Sequence, residues 1–591
     1  MPKATINNIP VNVADGVTIL KAAQSINIKI PTLCYLQGTL PTGSCRVCLV
    51  EVEGYKDPVA SCTMPISEGM KITTNSIMAR NARRSVVELL LSEHQGECQT
   101  CDRGSDCELQ RIANELGVKQ IHFTGEKTKK MVDCTTPGLV RDSSKCILCR
   151  RCVTVCAQIQ GVGSISPQGR GFKSYIGPAF CAGLDSVTCV QCGQCSAICP
   201  VGAISEKDNT DDVWRVLESK KQFVIVETAP AIRAALGEYF GYPPGTLVTG
   251  KMITALKKLG FDAVFDTNFA ADLTIIEEST ELLERLKQAL VKKDKNVALP
   301  MFTSCSPGWI NYAEAFFPEI IPNISTCKSP QQMFGAIAKS YYAQKIGKNP
   351  EDIVVISVMP CTAKKYEAQR PEMHYHGIRD VDIVLTTREL GKMIKQAGLD
   401  FDSLENSVMD SPIGLSSGAA DIFGNTGGVM EAALRTAYEL VTGTPFPFDK
   451  LHVTPIAGLE GIKEASIKIT QTVPQWSFLK GVELKVAVAH GLANAKKLIE
   501  AIKNKEVSYH FIEVMCCPGG CIGGGGQPRF TTDEVRQARI QALYREDEGK
   551  KLRKSHENPD IIKIYKEFFK KPLGEKSHQL LHTHYHPKER I

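Results

Sequence analysis

At 591 residues the chain exceeds what one hydrophobic core can hold, and the usual domain size favours about three to five units. Its 43% hydrophobic and 23% charged residues are those of an ordinary globular protein, and no apolar run approaches the roughly 18 residues that span a bilayer, so a membrane protein is not expected. The net charge of +6, from 70 basic and 64 acidic residues without a basic run, gives no nucleic-acid-binding surface.

Residues 1–78 open on MPKATINNIPVNVADGVTIL, which alternates polar and apolar residues like a strand. It lacks the basic-then-apolar layout of a signal peptide, so a cytoplasmic location is expected. The 23 cysteines, clustered at Cys-x-x-Cys spacings in a chain with no sign of secretion, then point to metal ligation instead of disulfides. After the amphipathic ILKAAQSINI come Cys34, Cys45, Cys48 and Cys62, four thiols that suit one small cluster. Thiolates alone leave zinc open as well as iron. The run PTLCYLQGTLPTGSCRVCLVEVEG resembles the 2Fe-2S ferredoxin-like domain of the large iron-sulfur subunits of complex I and NAD(P)-linked hydrogenases. Its ten-residue first interval departs from the four of the plant-type pattern.

Residues 79–125 carry His94, Cys98, Cys101 and Cys107 in HQGECQTCDRGSDCELQ, at the spacing that the same families use for a His-ligated 4Fe-4S cluster. One neutral imidazole makes such a site less negative, which raises its reduction potential. In residues 126–215 the Cys-x2-Cys-x2-Cys-x3-Cys run of Cys146, Cys149, Cys152 and Cys156 recurs at Cys189, Cys192, Cys195 and Cys199. This duplication matches a two-cluster 4Fe-4S ferredoxin, in which the fourth cysteine of each run crosses to the other cluster. Cys199 is therefore expected to complete the first set and Cys156 the second. Cys134 and Cys181 fall outside both and read as structural thiols.

From about Lys220 the pattern changes to apolar runs, FVIVETAP, VALPMFTSC and DIVVISVMPC, separated by amphipathic stretches such as KMITALKKLGF. Residues 216–591 thus read as an α/β domain, and the whole chain as a multidomain α+β protein with ferredoxin-like domains in front. Ligand sites in open α/β sheets lie beyond the carboxyl ends of strands, where two of these runs deliver Cys305 and Cys361. Three strings, TSCSPGW, MPCTAKKYEAQRPE and EVMCCPGGCIGGGGQP, together resemble the signature motifs of FeFe hydrogenases, and FGNTGGVMEAALRTA and RKSHENP extend the resemblance.

That resemblance implies reversible reduction of protons to H2 at an H-cluster, a 4Fe-4S cluster sharing one cysteine sulfur with a diiron unit that carries CO, cyanide and a bridging dithiolate. By motif, Cys361 and Cys517 are expected to bind the cluster and Cys521 to bridge to the diiron unit. Lys364 matches the lysine that pairs with one cyanide. Pro230 and Ala231 match the segment whose amide reaches the other, and Met359 and Met515 the soft residues packed on the iron. Gly519, Gly520 and Gly523 to Gly526 let the backbone come close to the cofactor. Glu278 and Glu281, three apart on a helix in IIEESTELLERL, match the family's proton relay, with Ser325 as the hydroxyl between them. On spacing alone they would be solvated carboxylates.

One departure touches the mechanism. Familiar members carry two adjacent cysteines before Pro-Gly-Trp, one relaying protons and one binding the cluster, whereas this chain has Cys305 and Ser306. The fourth cluster ligand is thus open among Ser306, Cys305 and Cys516, the last standing where many members have a small apolar residue. One 2Fe-2S and three accessory 4Fe-4S clusters complete the expected cofactors. No Gly-x-Gly-x-x-Gly fingerprint follows a strand, so NAD(P)-binding flavoprotein and small iron-sulfur subunits are the expected partners. A stand-alone hydrogenase served by ferredoxin is the alternative. An assembly protein lacking the diiron unit is opposed by Lys364, the methionines and the relay carboxylates, and an H2 sensor by the lack of a signalling domain.

Overall fold

A computed structural model describes residues 1–294 and 296–590. The N-terminal alternation becomes a hairpin of Lys3–Ile6 and Ile9–Asn12 at the edge of a five-stranded sheet. Helix Ile19–Ser25 covers it, with the Thr18 side chain accepting from the Lys21 amide at its start. Helix Ile77–Glu93, capped by Ser76, delivers His94 at its C-terminus.

The cysteine duplication is repeated in the backbone. Leu148 and Arg150 of the first run take positive φ (52° and 66°), and so do Gln191 and Gly193 of the second (56° and 71°). Each left-handed pair precedes a one-turn helix, Arg151–Thr154 and Gln194–Ala197, that carries the third cysteine. The expected boundary between residues 215 and 216 is corrected, because it falls inside helix Thr210–Ser219. The buried Val213 of that helix joins the core of the catalytic half, where an amphipathic face has a sheet to cover.

The catalytic half is built on two four-stranded sheets. The first is wholly parallel, in the order Ala263–Asp266, Phe223–Thr228, Ile353–Met359, Ile383–Thr386. Its two middle strands are covered on both faces, which is why they read as nearly unbroken apolar runs. The second runs Met301–Phe302, Phe511–Met515, Glu483–His490, Ile462–Lys468, with only the last strand antiparallel. The expected VALPMFTSC strand shrinks to Met301–Phe302, directly after Pro300, which has no amide hydrogen for a ladder. Among the described residues no helix is long and apolar enough to cross a membrane.

Candidate active site

Four strand ends converge. Phe223–Thr228 runs out at Ala229 and Pro230, Ile353–Met359 at Cys361, Phe511–Met515 at Cys516 and Cys517, and Met301–Phe302 shortly before Cys305 and Ser306. All of these residues line one mainly apolar cavity of about 730 Å³, together with Met359, Met515, Lys364 and Cys521. Ala231 is fully buried but does not line it; its carbonyl accepts from the Gln527 side chain behind the wall (3.2 Å).

The donor set suits an iron-sulfur group. Burial and then the thiols of Cys517 and Cys521 push Cys361 far up, and burial pushes Cys521 to about 12, so these thiols resist ionising together. Bound iron supplies the missing positive charge. Lys364 brings a cation: burial alone would strip its proton, but Glu367 (2.8 Å) and the thiols of Cys305 and Cys361 outweigh burial and shift it up. Its Nζ also donates to the Cys305 carbonyl (3.2 Å). Space for a group is kept by glycine. A Cβ on Gly524 would lie 2.1 Å from the Pro360 carbonyl, and Gly520 sits at φ 91°.

The two departures from the family pattern touch, since the Cys516 amide donates to Ser306 Oγ (3.2 Å). The Cys516 thiol turns away toward the ferredoxin-like unit, 3.7 Å from Gln160 Oε1 and in hydrogen-bonding contact with Cys192 and Cys517. Burial and then Glu278 push the Cys305 thiol far up.

Helix Thr267–Leu290 turns both glutamates inward, so they are not the solvated carboxylates that spacing alone would suggest. Glu278 is 1% exposed; burial and then Glu281 push its carboxyl up to about 8. Ser325 Oγ donates to Glu281 (2.8 Å), and so does Arg285 (2.6 Å). Sequence reasoning missed Arg285, although its i, i+4 spacing from Glu281 was visible. It also missed Glu277, Thr326, Cys327 and His582, whose meeting spans some 300 residues of chain and leaves no local signal.

The accessory cysteines are grouped along the N-terminal third, with Cys98 exposed. Cys34, Cys45, Cys48 and Cys62 are buried, with Cys34 hydrogen-bonded to Cys45 and Cys62, and Cys48 to Cys62. His94 Nδ1 is buried without a partner and burial keeps the ring neutral, the form that binds a metal. Cys101 packs on Gly202, and Cys107 lies 3.8 Å from the Pro200 carbonyl, which sets the His/Cys block against the ferredoxin-like unit. Cys146, Cys149, Cys152 and Cys199 line one pocket, which groups the first three cysteines of one run with the fourth of the other. Burial and then Cys192, Cys189 and Cys156 push Cys195 up, the other crossed set. Cys134 and Cys181 are both exposed, so neither is a core thiol; Cys134 sits in a loop and Cys181 ends the short 3-10 helix Ala179–Cys181, its thiol on the Tyr175 hydroxyl (3.1 Å).

The second ferredoxin loop docks directly on the catalytic motifs. Thr362 Oγ1 donates to the Gln191 carbonyl (2.7 Å), and Gln194 Nε2 to the Gly523 carbonyl (2.9 Å). This seats Cys192 beside Cys516 and Cys517.

Residues 222–525 match the C-terminal domain of the iron-only hydrogenase large subunit, and residues 533–588 the iron hydrogenase small subunit. Upstream, residues 3–76 match a 2Fe-2S cluster binding domain, 83–122 the NADH-ubiquinone oxidoreductase-G iron-sulfur binding region, and 145–203 a 4Fe-4S dicluster domain. The chain is 50% identical to the NADP-reducing hydrogenase subunit HndD of Solidesulfovibrio fructosivorans over 99% of both chains. It is 40% identical to iron hydrogenase 1 of Clostridium pasteurianum, over 99% of this chain and 100% of that one. A solved variant of the FeFe hydrogenase HydA1 from Chlamydomonas reinhardtii superimposes with a TM-score of 0.59 at 44% identity, covering 65% of this chain and all of that one. The converging cysteines and these matches agree: the chain belongs to the FeFe hydrogenase family and is an oxidoreductase acting on H2 with accessory iron-sulfur clusters.

Proposed function

We propose that Cys361, Cys517 and Cys521 hold the catalytic 4Fe-4S cluster, with Ser306 at its fourth corner and Cys521 shared with the diiron unit. Ser306 is favoured over Cys516 because the Cys516 thiol is engaged by Cys192 and Gln160 of the ferredoxin-like unit. It is favoured over Cys305 because Ser306 stands where familiar family members carry the cluster-binding cysteine, and Cys305 where they carry the proton-relaying one. When bound, the diiron unit supplies the site at which the H–H bond forms or breaks. Cys305 Sγ then carries a proton between the cavity and the Glu278 carboxyl, and Ser325 Oγ passes it between Glu278 and Glu281. Lys364 offers its ammonium to a cyanide ligand, and Met359 and Met515 keep water off the iron.

Four accessory clusters are the electron supply: one 2Fe-2S on the first four cysteines, one His-ligated 4Fe-4S, and the crossed pair. The chain works as the hydrogen-converting subunit of an NAD(P)-linked complex; the relative named as an NADP-reducing hydrogenase subunit supports this, matching end to end. The observation that carries the reading is the cavity itself, in which three cysteines, Lys364 and the Glu278 side of Cys305 meet. Protein produced anaerobically with the hydrogenase maturases should evolve H2 and show carbonyl and cyanide stretching bands, and protein produced without them should do neither. The unmatured chain should bind about 18 iron atoms, from one 2Fe-2S and four 4Fe-4S clusters. Equal H2 evolution in both preparations, or zinc in any set, contradicts the assignment.

A further inference from the structure

The segment that matches the iron hydrogenase small subunit brings one imidazole to the proton relay. Residues 581–583 lie antiparallel to 326–328: the Lys328 amide donates to the Leu581 carbonyl and the Thr583 amide to the Thr326 carbonyl, both at 2.7 Å. This pairing fixes His582. Its Nδ1 lies 2.8 Å from Thr326 Oγ1, and its Nε2 3.2 Å from Glu277 Oε2. The Thr326 hydroxyl is in turn 3.4 Å from Glu281 Oε2. A ring nitrogen of His582, a Glu281 oxygen and Cys327 Sγ all lie within 4.8 Å of one another.

The relay needs something at this point. Arg285 also donates to Glu281, but a guanidinium does not give up a proton in proteins. Imidazole can both take and give a proton near neutrality. Glu277 anchors it: burial acts to raise this carboxyl, but the bonds from His582, Ser577 and Tyr565 outweigh burial and hold it below the usual range. His582 itself is buried, yet its ring lies tilted against that of His578, which is exposed, with centroids 4.5 Å apart.

We propose that Thr326 and His582 form a second proton branch off Glu281, opening to solvent beside His578; this rests on the reading of Glu281 as a relay group. In the inward step the Nδ1 proton of His582 passes to Thr326 Oγ1 while the hydroxyl proton of Thr326 passes to Glu281 Oε2. The outward step is the reverse. No electron moves, and the imidazole exchanges its proton with water. The charged and titratable groups around His582 are Glu277 and Glu281 from helix Thr267–Leu290, Cys327 from the facing segment, Tyr565, and His578 and His584 from its own stretch of chain.

The test compares His582→Gln, Thr326→Val and Glu281→Gln in the matured enzyme. Glutamine can keep the bonds to Glu277 and Thr326 but cannot relay a proton, so a merely structural His582 predicts wild-type behaviour in that variant. The branch predicts that His582→Gln and Thr326→Val each lower turnover about threefold, less than the roughly 10²-fold or greater loss of a sole acid-base group, with a larger solvent isotope effect. Melting temperature and the infrared bands should not move. Wild-type turnover and isotope effect in both variants, with Glu281→Gln inactive, overturns the branch alone. An active Glu281→Gln overturns the relay reading beneath it.

Discussion

Ser306 and Cys516 exchange the chemistry expected at their positions and touch through one hydrogen bond, so substitutions there separate ligation from packing. Ser306→Ala should cost the catalytic cluster, seen as a loss of about four irons, whereas Cys516→Ala should keep it. Iron retained in Ser306→Ala would move the ligand to another residue. Cys305→Ala should keep all iron and lose turnover. Glu278 gives a pH signature. Its carboxyl is raised from 4.5 to about 8, so the folded protein holds a proton that the unfolded chain releases, and this favours the fold at low pH. The contribution is lost as pH rises from about 4.5 through about 8. Glu278→Gln has no such proton to lose, so its melting temperature relative to wild type should climb with pH over that range while turnover is abolished. A difference that stays flat from acid to alkaline pH would mean that the Glu278 carboxyl is not raised.

Among the elements, the docking of the second ferredoxin loop depends on two glycines. A Cβ on Gly193 would lie 2.3 Å from Thr362 Oγ1, one on Gly525 would lie 2.3 Å from the Cys192 carbonyl, and Gly193 is also left-handed. Gly193→Ala should therefore strain both the loop and the contact, costing about 1 kcal/mol or more. Because the strain falls between Cys192 and the catalytic cysteines, electron delivery should suffer first. H2 evolution driven through the accessory clusters should fall, while H/D exchange, which needs only the catalytic cavity, should persist; equal loss of both would point to damage in the cavity itself. The sequence showed the cysteine duplication, the helix bearing Glu278 and Glu281, and the strands ending at Cys361 and Cys517, because each is written in local spacing. It did not show that Cys516 faces Cys192, that Gly193 meets Thr362, or that His582 meets Glu281. Those contacts join residues hundreds of positions apart, and nothing in local periodicity encodes them. Burial of the two glutamates was hidden for a related reason, since a carboxylate at helical spacing looks solvated until its covering element is known.

At the scale of the whole molecule, the order of the ligand sets decides where electrons enter. The chain runs from a 2Fe-2S cluster binding domain through a second iron-sulfur binding region and a 4Fe-4S dicluster domain to the catalytic cavity, and specific contacts tie the later units together. Arg151 pairs with Glu108 (2.6 Å) between the His/Cys block and the ferredoxin-like unit, and Arg388 with Glu206 (2.6 Å) between that unit and the catalytic half. Removing one partner of such a buried pair costs about 3–5 kcal/mol, because the other charge is left uncompensated. With the proposed clusters in place, electrons would have a path inward and two points of entry at the N-terminal end. A stand-alone enzyme served by ferredoxin needs one; a complex with a flavoprotein that binds the nicotinamide explains both. Gentle anaerobic affinity purification from the native host should then bring down flavin-containing subunits together with H2-dependent NAD(P) reduction. The isolated chain should reduce NAD(P) at no measurable rate, and adding back the flavin-containing fraction should restore it. Deleting residues 1–78 should abolish the restored NAD(P) activity while H/D exchange continues. A chain that purifies alone and turns over with ferredoxin as fast as the assembled material would favour the stand-alone enzyme.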